Sequence, residues 1–142
     1  MEISERKALV KQLKRGKRGW TMVLPGEAGT FLGKRIGVEV RTSLIEGAEP
    51  PLTDQEVGLL EAIFADLPKL AARAEKAFDE AGAEGMLDEE DRFARPHIWI
   101  DRELQAGKSA GRWTLVVEVQ NSDFAWHIEF VGTKFKEIWA GD

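Results

Sequence analysis

Between Arg112 and Ala140, apolar and polar residues alternate across two short turn signals, and that alternation leaves the chain few folds to choose from. Trp113, Leu115, Val117 and Val119 lie two apart, as do Phe124, Trp126, Ile128 and Phe130, and a period of two is what a strand with one buried face requires. With Asn121-Ser122 as a two-residue turn, Val119 pairs with Phe124, Val117 with Trp126, Leu115 with Ile128 and Trp113 with Phe130, so every pair on that face is apolar. The opposite face then sets Arg112, Thr114, Val116 and Glu118 against Val131, Glu129, His127 and Ala125. Gly132-Thr133 suits a second tight turn, which pairs Phe130 with Phe135, Glu129 with Lys136, His127 with Ile138 and Trp126 with Trp139. A slip of one residue would send the aromatics into water, so residues 112–140 are expected as a three-stranded antiparallel meander. In this register Glu137 turns onto the aromatic face opposite Ile128, where it reads as an inward charge guarding an edge strand rather than as a catalytic acid.

The rest of the chain supplies partners for that meander. Trp20, Met22 and Leu24 alternate ahead of Pro25-Gly26, and Ile36, Val38 and Val40 alternate with charged or small residues, which predicts an N-terminal hairpin with its loop near residues 25–30. Thr53-Asp54-Gln55-Glu56 is a capping box, followed by Val57, Leu60, Ile63, Phe64 and Leu67 at helical spacing and continued by Leu70, Ala71, Ala74 and Phe78. Pro68 lacks an amide proton and clashes with the carbonyl four residues back, so a kink or a restart capped by Asp66 is expected. Residues 82–92 read as an acidic connector. Ile98 and Ile100, alternating with His97, Trp99 and Asp101, predict a further strand. The fold class is therefore α+β: an antiparallel sheet, made of the N-terminal hairpin and the C-terminal meander, with one long or kinked helical segment packed on one face. Residues 19–142 form the single domain, preceded by residues 1–18 as a basic arm or a short helix. Ser4 is its candidate cap, with Ala8, Leu9 and Leu13 on one side and Lys7, Lys11 and Lys14 on the other.

Charge and composition exclude several functions. Residues 1–18 carry seven Lys/Arg against two acids, while the chain as a whole is at −5, so residues 19–142 stand near −10. A nucleic-acid binder usually shows its basic face on the folded domain, so nucleic-acid binding through Lys11, Lys14, Arg15, Lys17 and Arg18 is a secondary reading. Without cysteine there is no disulfide, Cys-zinc site or thiol nucleophile. No apolar run approaches the ~20 residues that span a bilayer and the N-terminus lacks a signal-peptide core, so a cytoplasmic protein without a membrane partner is expected. Neither a phosphate-loop, a nucleophile-elbow nor a zincin motif occurs, and no cofactor, metal site or catalytic residue is assigned.

Two face-sharing sets carry what chemistry remains. His97, Trp99 and Asp101 lie on one side of their strand, and His127 and Glu129 on one side of theirs. If the first strand neighbours residues 112–120, the two sets merge into one shallow binding surface; a helix laid over them would instead bury His97. A small hydrolase or isomerase using His127 with Glu129 or Asp101 is the enzymatic alternative. Five tryptophans invite a stacking-platform reading, but Trp113, Trp126 and Trp139 fall on the predicted core face.

The order of features, GWTMVLP and GKRIGVEV in an opening hairpin, the capped helix LTDQEVGLLEAIF, a second helical segment LPKLAARAEKAFDE and a closing WHIEFVGTKFKEIWAGD, resembles small bacterial domains of unknown function found among suspected toxin-immunity proteins. The resemblance runs from about Gly19 to the C-terminus and leaves out the basic N-terminal segment. It implies an α+β domain without a cofactor whose role is to bind another protein. The expected function is accordingly a non-enzymatic protein-binding module, an immunity-type inhibitor whose acidic body suits a basic protein partner.

Overall fold

The computed structural model of the chain describes residues 2–42, 49–82, 95–119 and 124–141. The N-terminal segment forms helix α1 (Ile3–Lys11) and strand β1 (Lys14–Gly16), which returns on itself into β2 (Gly19–Val23). The boundary drawn at residue 18 thus falls in the turn of a hairpin, where Gly16 pairs with Gly19. Gly19 has φ +85, and a Cβ there would lie 2.4 Å from the Val40 carbonyl oxygen, so this close approach of two strands needs glycine. Glu2, not Ser4, occupies the helix N-cap. The helix stops at Lys11, and it buries Leu9 and Val10 while Ala8 is exposed.

Beyond β2 the chain makes a two-stranded ribbon, β3 (Thr30–Phe31) with β4 (Lys34–Arg35), before β5 (Gly37–Arg41). The expected hairpin is present, with Trp20 opposite Val40 and Met22 opposite Val38. Helix α2 (Asp54–Ala65) begins at the capping box, where the Thr53 side chain accepts from the Glu56 amide at 3.1 Å and the Glu56 carboxylate accepts from the Thr53 amide at 2.8 Å. Helix α3 (Leu67–Glu80) restarts at Asp66 with Pro68 in its first turn, where a missing amide costs no helical bond; the Asp66 side chain makes no cap bond. Strands β6 (His97–Asp101), β7 (Arg112–Glu118), β8 (Ala125–Val131) and β9 (Lys134–Gly141) follow, with a 3-10 turn at Arg102–Ala106. The acidic connector and the Asn121-Ser122 turn lie outside the described residues.

These strands form one seven-stranded sheet in the order β1-β2-β5-β6-β7-β8-β9. All neighbours are antiparallel except β5 and β6, whose parallel pairing is the one that needs a long crossover, here carrying α2 and α3. The β7–β8 register is the expected one at every pair from Arg112–Val131 to Glu118–Ala125. The β8–β9 register is not. Phe130 does oppose Phe135, but Glu129 opposes Glu137, His127 opposes Trp139 and Trp126 opposes Ala140, because Lys136 is an extra residue on β9. Such a bulge re-aims everything beyond it. It lets both Phe135 and Ile138, three apart, face the core, and it takes Glu137 off the aromatic face into solvent. The inward-charge reading of Glu137 and the core placement of Trp139 are both corrected by this one residue.

One side of the sheet contributes Val38, Val40, Ile98, Ile100, Trp113, Leu115, Val117, Trp126, Ile128 and Phe130 to a buried cluster shared with Leu9, Val10 and Leu13 and with Leu60, Phe64, Leu70 and Phe78 of the helices. The rings of Phe78 and Trp126 meet edge to face at 5.9 Å across that cluster. The crossover is tied down by Arg102. Its guanidinium donates to both oxygens of Glu56 (2.7 and 2.8 Å), to Glu49 (3.2 Å) and to the Pro50 and Pro51 carbonyls (2.7 and 2.8 Å). Burial alone would lower the Arg102 pKa, but the hydrogen bonds and charges of Glu56 and then Glu49 outweigh it and hold the group above its ordinary value. Among the described residues no helix is long and apolar enough to cross a membrane.

Candidate functional site

Residues of α1, α2 and α3 share the buried cluster on one side of the sheet, and among the described residues the other side is built from the alternate residues of each strand. The register lays them out as rows. His97, Val116, His127 and Trp139 form one; Glu39, Trp99, Thr114, Glu129 and Glu137 form the next. The two sets read separately from the sequence therefore merge across β7. Trp99, Asp101, His127 and Glu129 line one small hollow of about 230 Å³, together with Leu104, Arg112, Trp113, Thr114 and Trp139. His97 sits outside it and turns to Glu39, with Nε2 3.8 Å from Oε2.

The rim is held rigidly. Asp101 accepts from the Glu103 amide at 3.0 Å, capping the 3-10 turn. Gln105, buried, donates to the Arg112 carbonyl at 2.9 Å and accepts from the Gly111 amide at 2.9 Å. These bonds fix Leu104 beside the hollow. On the far side the imidazole of His127 stacks on the indole of Trp139, and the Trp139 Nε1 donates to Glu129 Oε2 at 2.6 Å. Arg112 Nε approaches the other oxygen of Glu129 at 3.6 Å.

These contacts decide what His127 can do. Burial pushes its pKa below the ordinary imidazole value; the Gly141 carbonyl and Glu129 pull upward and His97 pulls down again. The His127 Nε2 is shut from solvent without a hydrogen-bond partner among the described residues. Glu129 is committed to Trp139 and Arg112, and Asp101 to the turn, so neither carboxylate is placed to orient His127 as a general base. Among the described residues no group of three His, Asp or Glu is placed to hold a metal ion.

The hollow is instead the centre of an apolar patch. Four large hydrophobic side chains are exposed among the described residues, and three of them, Leu104 (38%), Val131 (37%) and Trp139 (42%), lie on this face or its rim. Around them the carboxylates Glu39, Asp101, Glu118, Glu129 and Glu137 are interspersed with the cations Lys14, Arg41 and Arg112 and with Arg95, which lies beside Gly37. Reading by strict alternation missed Trp139 because it took β9 as unbroken; the spacing of three between Phe135 and Ile138 was the signal of the bulge. Leu104 had no signal, since its place depends on the Gln105 bonds.

Lys11, Lys14, Arg15, Lys17 and Arg18 are all exposed, the last four on the β1–β2 hairpin at the opposite edge of the sheet, where Arg15 lies 5.0 Å over the Trp20 ring. None of them lines the hollow, although the register sets Lys14, through Thr21, in the same row as Glu39 and Trp99. Comparison with protein-family models, with curated proteins and with solved structures gives no match.

Proposed function

We propose that the chain is a non-enzymatic protein-binding module that docks a basic protein partner on the open face of its sheet, in the manner of an immunity-type inhibitor. The observation that carries this reading is the cluster of Leu104, Val131 and Trp139, exposed together around a rigid hollow on the side of the sheet that the helices leave open. Interfaces gather aromatic residues at their centre and polar residues at their rim, and a well-held tryptophan beside a pocket is the commonest kind of energetic anchor. The net charge of −5 favours a cationic partner over an anionic one.

The experiment is affinity capture from the source cell with the wild-type chain and with a Leu104→Ser/Trp139→Ser variant run in parallel. Both substitutions are at exposed positions, so the variant should melt with the wild type. A protein retained by the wild type and lost by the variant, with association slowed by added salt, is the expected result. Retention of the same proteins by both would end the reading.

A further inference from the structure

A second concave region lies on the helical side, between α3 and the β8–β9 turn. It is an open cleft of about 720 Å³ lined by Lys69, Leu70, Arg73, Lys76, Lys134 and Phe135, among others, which is within the size range of small-molecule sites. It shares no lining residue with the hollow on the open face.

The chemistry of this cleft is out of keeping with the body around it. Lys69, Arg73 and Lys76 fall at i, i+4 and i+7, on one face of α3, about 10 Å from end to end at the helical rise. Lys134 joins them from the turn. Like charges at this spacing repel. Among the described residues no carboxylate pairs with Lys69, Arg73 or Lys134; Lys76 reaches Glu80 only at 3.9 Å with both side chains exposed, and Asp66 is the sole acid on the lining.

Arg73 is also held in advance. Its guanidinium carbon lies 4.1 Å from the centre of the Phe135 ring, and that ring is anchored in turn by an edge-to-face contact with Phe130 at 5.9 Å. Its Nη1 is shut from solvent with no hydrogen-bond partner among the described residues. A stacked arginine keeps its planar donors for an oxyanion and loses little freedom when it binds one. Leu70 and Phe135 give the cleft an apolar floor beside these cations.

We propose that this cleft is a binding site for a small phosphate ester. Arg73 engages the phosphoryl oxygens, Lys69, Lys76 and Lys134 neutralise their charge, and the carbon body of the ester lies on Phe135 and Leu70. Phosphate suits a cluster of four cations better than a monoanion does, and the apolar floor distinguishes an ester from free phosphate.

Calorimetric titration of the full chain with phenyl phosphate, inorganic phosphate and benzoate in low-salt buffer tests it, with backbone NMR shifts locating the site. Phenyl phosphate should saturate with shifts on α3 and Thr133–Phe135, at an affinity at least fivefold above that of either inorganic phosphate or benzoate. Arg73→Gln should weaken it at least tenfold, and Lys134→Gln, at an exposed position at the start of β9, should weaken it severalfold; Trp139→Ser should leave it unchanged. Equal affinity for the three anions, no saturable binding, shifts elsewhere, or binding that survives both cleft substitutions would overturn the proposal.

Discussion

The imidazole of His127 lies flat on the indole of Trp139, with ring centres 3.9 Å apart and planes 9° from parallel. Burial, to which this stack contributes, lowers the His127 pKa from the ordinary 6.5, and this has a sign in the stability of the fold. A histidine that is harder to protonate folded than unfolded binds more protons in the unfolded state, so stability rises with pH between the two values. The contribution is intact above the unfolded value near 6.5 and is lost as pH falls through it toward the lowered folded value. Denaturant unfolding between pH 7.5 and 5.5 should show this loss, and His127→Gln should flatten the slope in that window. An unchanged slope in the variant would assign the pH dependence elsewhere.

Trp126 and His127 are adjacent and point to opposite faces, so a pair of alanine substitutions separates the two sides of the sheet. Trp126 is flanked by Val117 and Ala140 and meets Phe78 in the core. Trp126→Ala should cost ~3–5 kcal/mol, as truncation of a buried aromatic does, whereas His127→Ala on the half-open face should cost about 1 kcal/mol or less. Chemical denaturation of both variants checks the contrast, and equal losses would contradict the register of β8.

How much of this was legible beforehand follows the range of the interactions involved. The capping box at Thr53 and the β7–β8 pairing are set by neighbours in sequence or by a strict period of two and are legible at residue level, whereas Pro68 marks only a kink or a restart, of which the structure has the restart without the Asp66 cap bond. The merging of Trp99 and Asp101 with His127 and Glu129 needed only the adjacency of β6 and β7. What failed was the assumption of unbroken alternation: one extra residue, Lys136, moved Trp139 from core to surface and made it the largest exposed side chain of the site. The Arg102 clamp was invisible for another reason. Its partners Glu49 and Glu56 are 53 and 46 residues away, and nothing in the local pattern marks a charge that will be buried.

That clamp carries its own prediction. Arg102, Glu49 and Glu56 expose only 7%, 5% and 3% of their side chains, and removing the cation leaves two buried carboxylates facing one another without compensation. Arg102→Met should therefore cost ~3–5 kcal/mol. Glu56→Gln, which keeps an acceptor for the Thr53 amide and leaves Glu49 to balance Arg102, should cost clearly less. Chemical denaturation of both variants reads the contrast, and a small deficit in Arg102→Met, or one no larger than that of Glu56→Gln, would mean that the guanidinium holds the crossover by shape rather than by charge.

Gly141 tests the open face without touching the core. A Cβ at this position would lie 2.9 Å from Cζ3 and 3.3 Å from Cε3 of the Trp139 indole, so the ring lies where any larger residue would displace it. The obstruction is the far end of an exposed side chain at the sheet edge, which can swing outward, so Gly141→Ala should cost under ~1 kcal/mol. The displaced ring would give up both the stack on His127 and the 2.6 Å bond to Glu129. Water then reaches the imidazole, and relief of the desolvation that dominates its shift should move the His127 pKa upward toward the ordinary value, read directly from its NMR titration. Binding of a partner through the Trp139 patch should weaken in the same variant, since its anchor is no longer held in place. A Gly141→Ala protein with an unchanged His127 titration would mean that the indole does not shield the imidazole, and the rigid hollow on which the binding proposal rests would lose its wall.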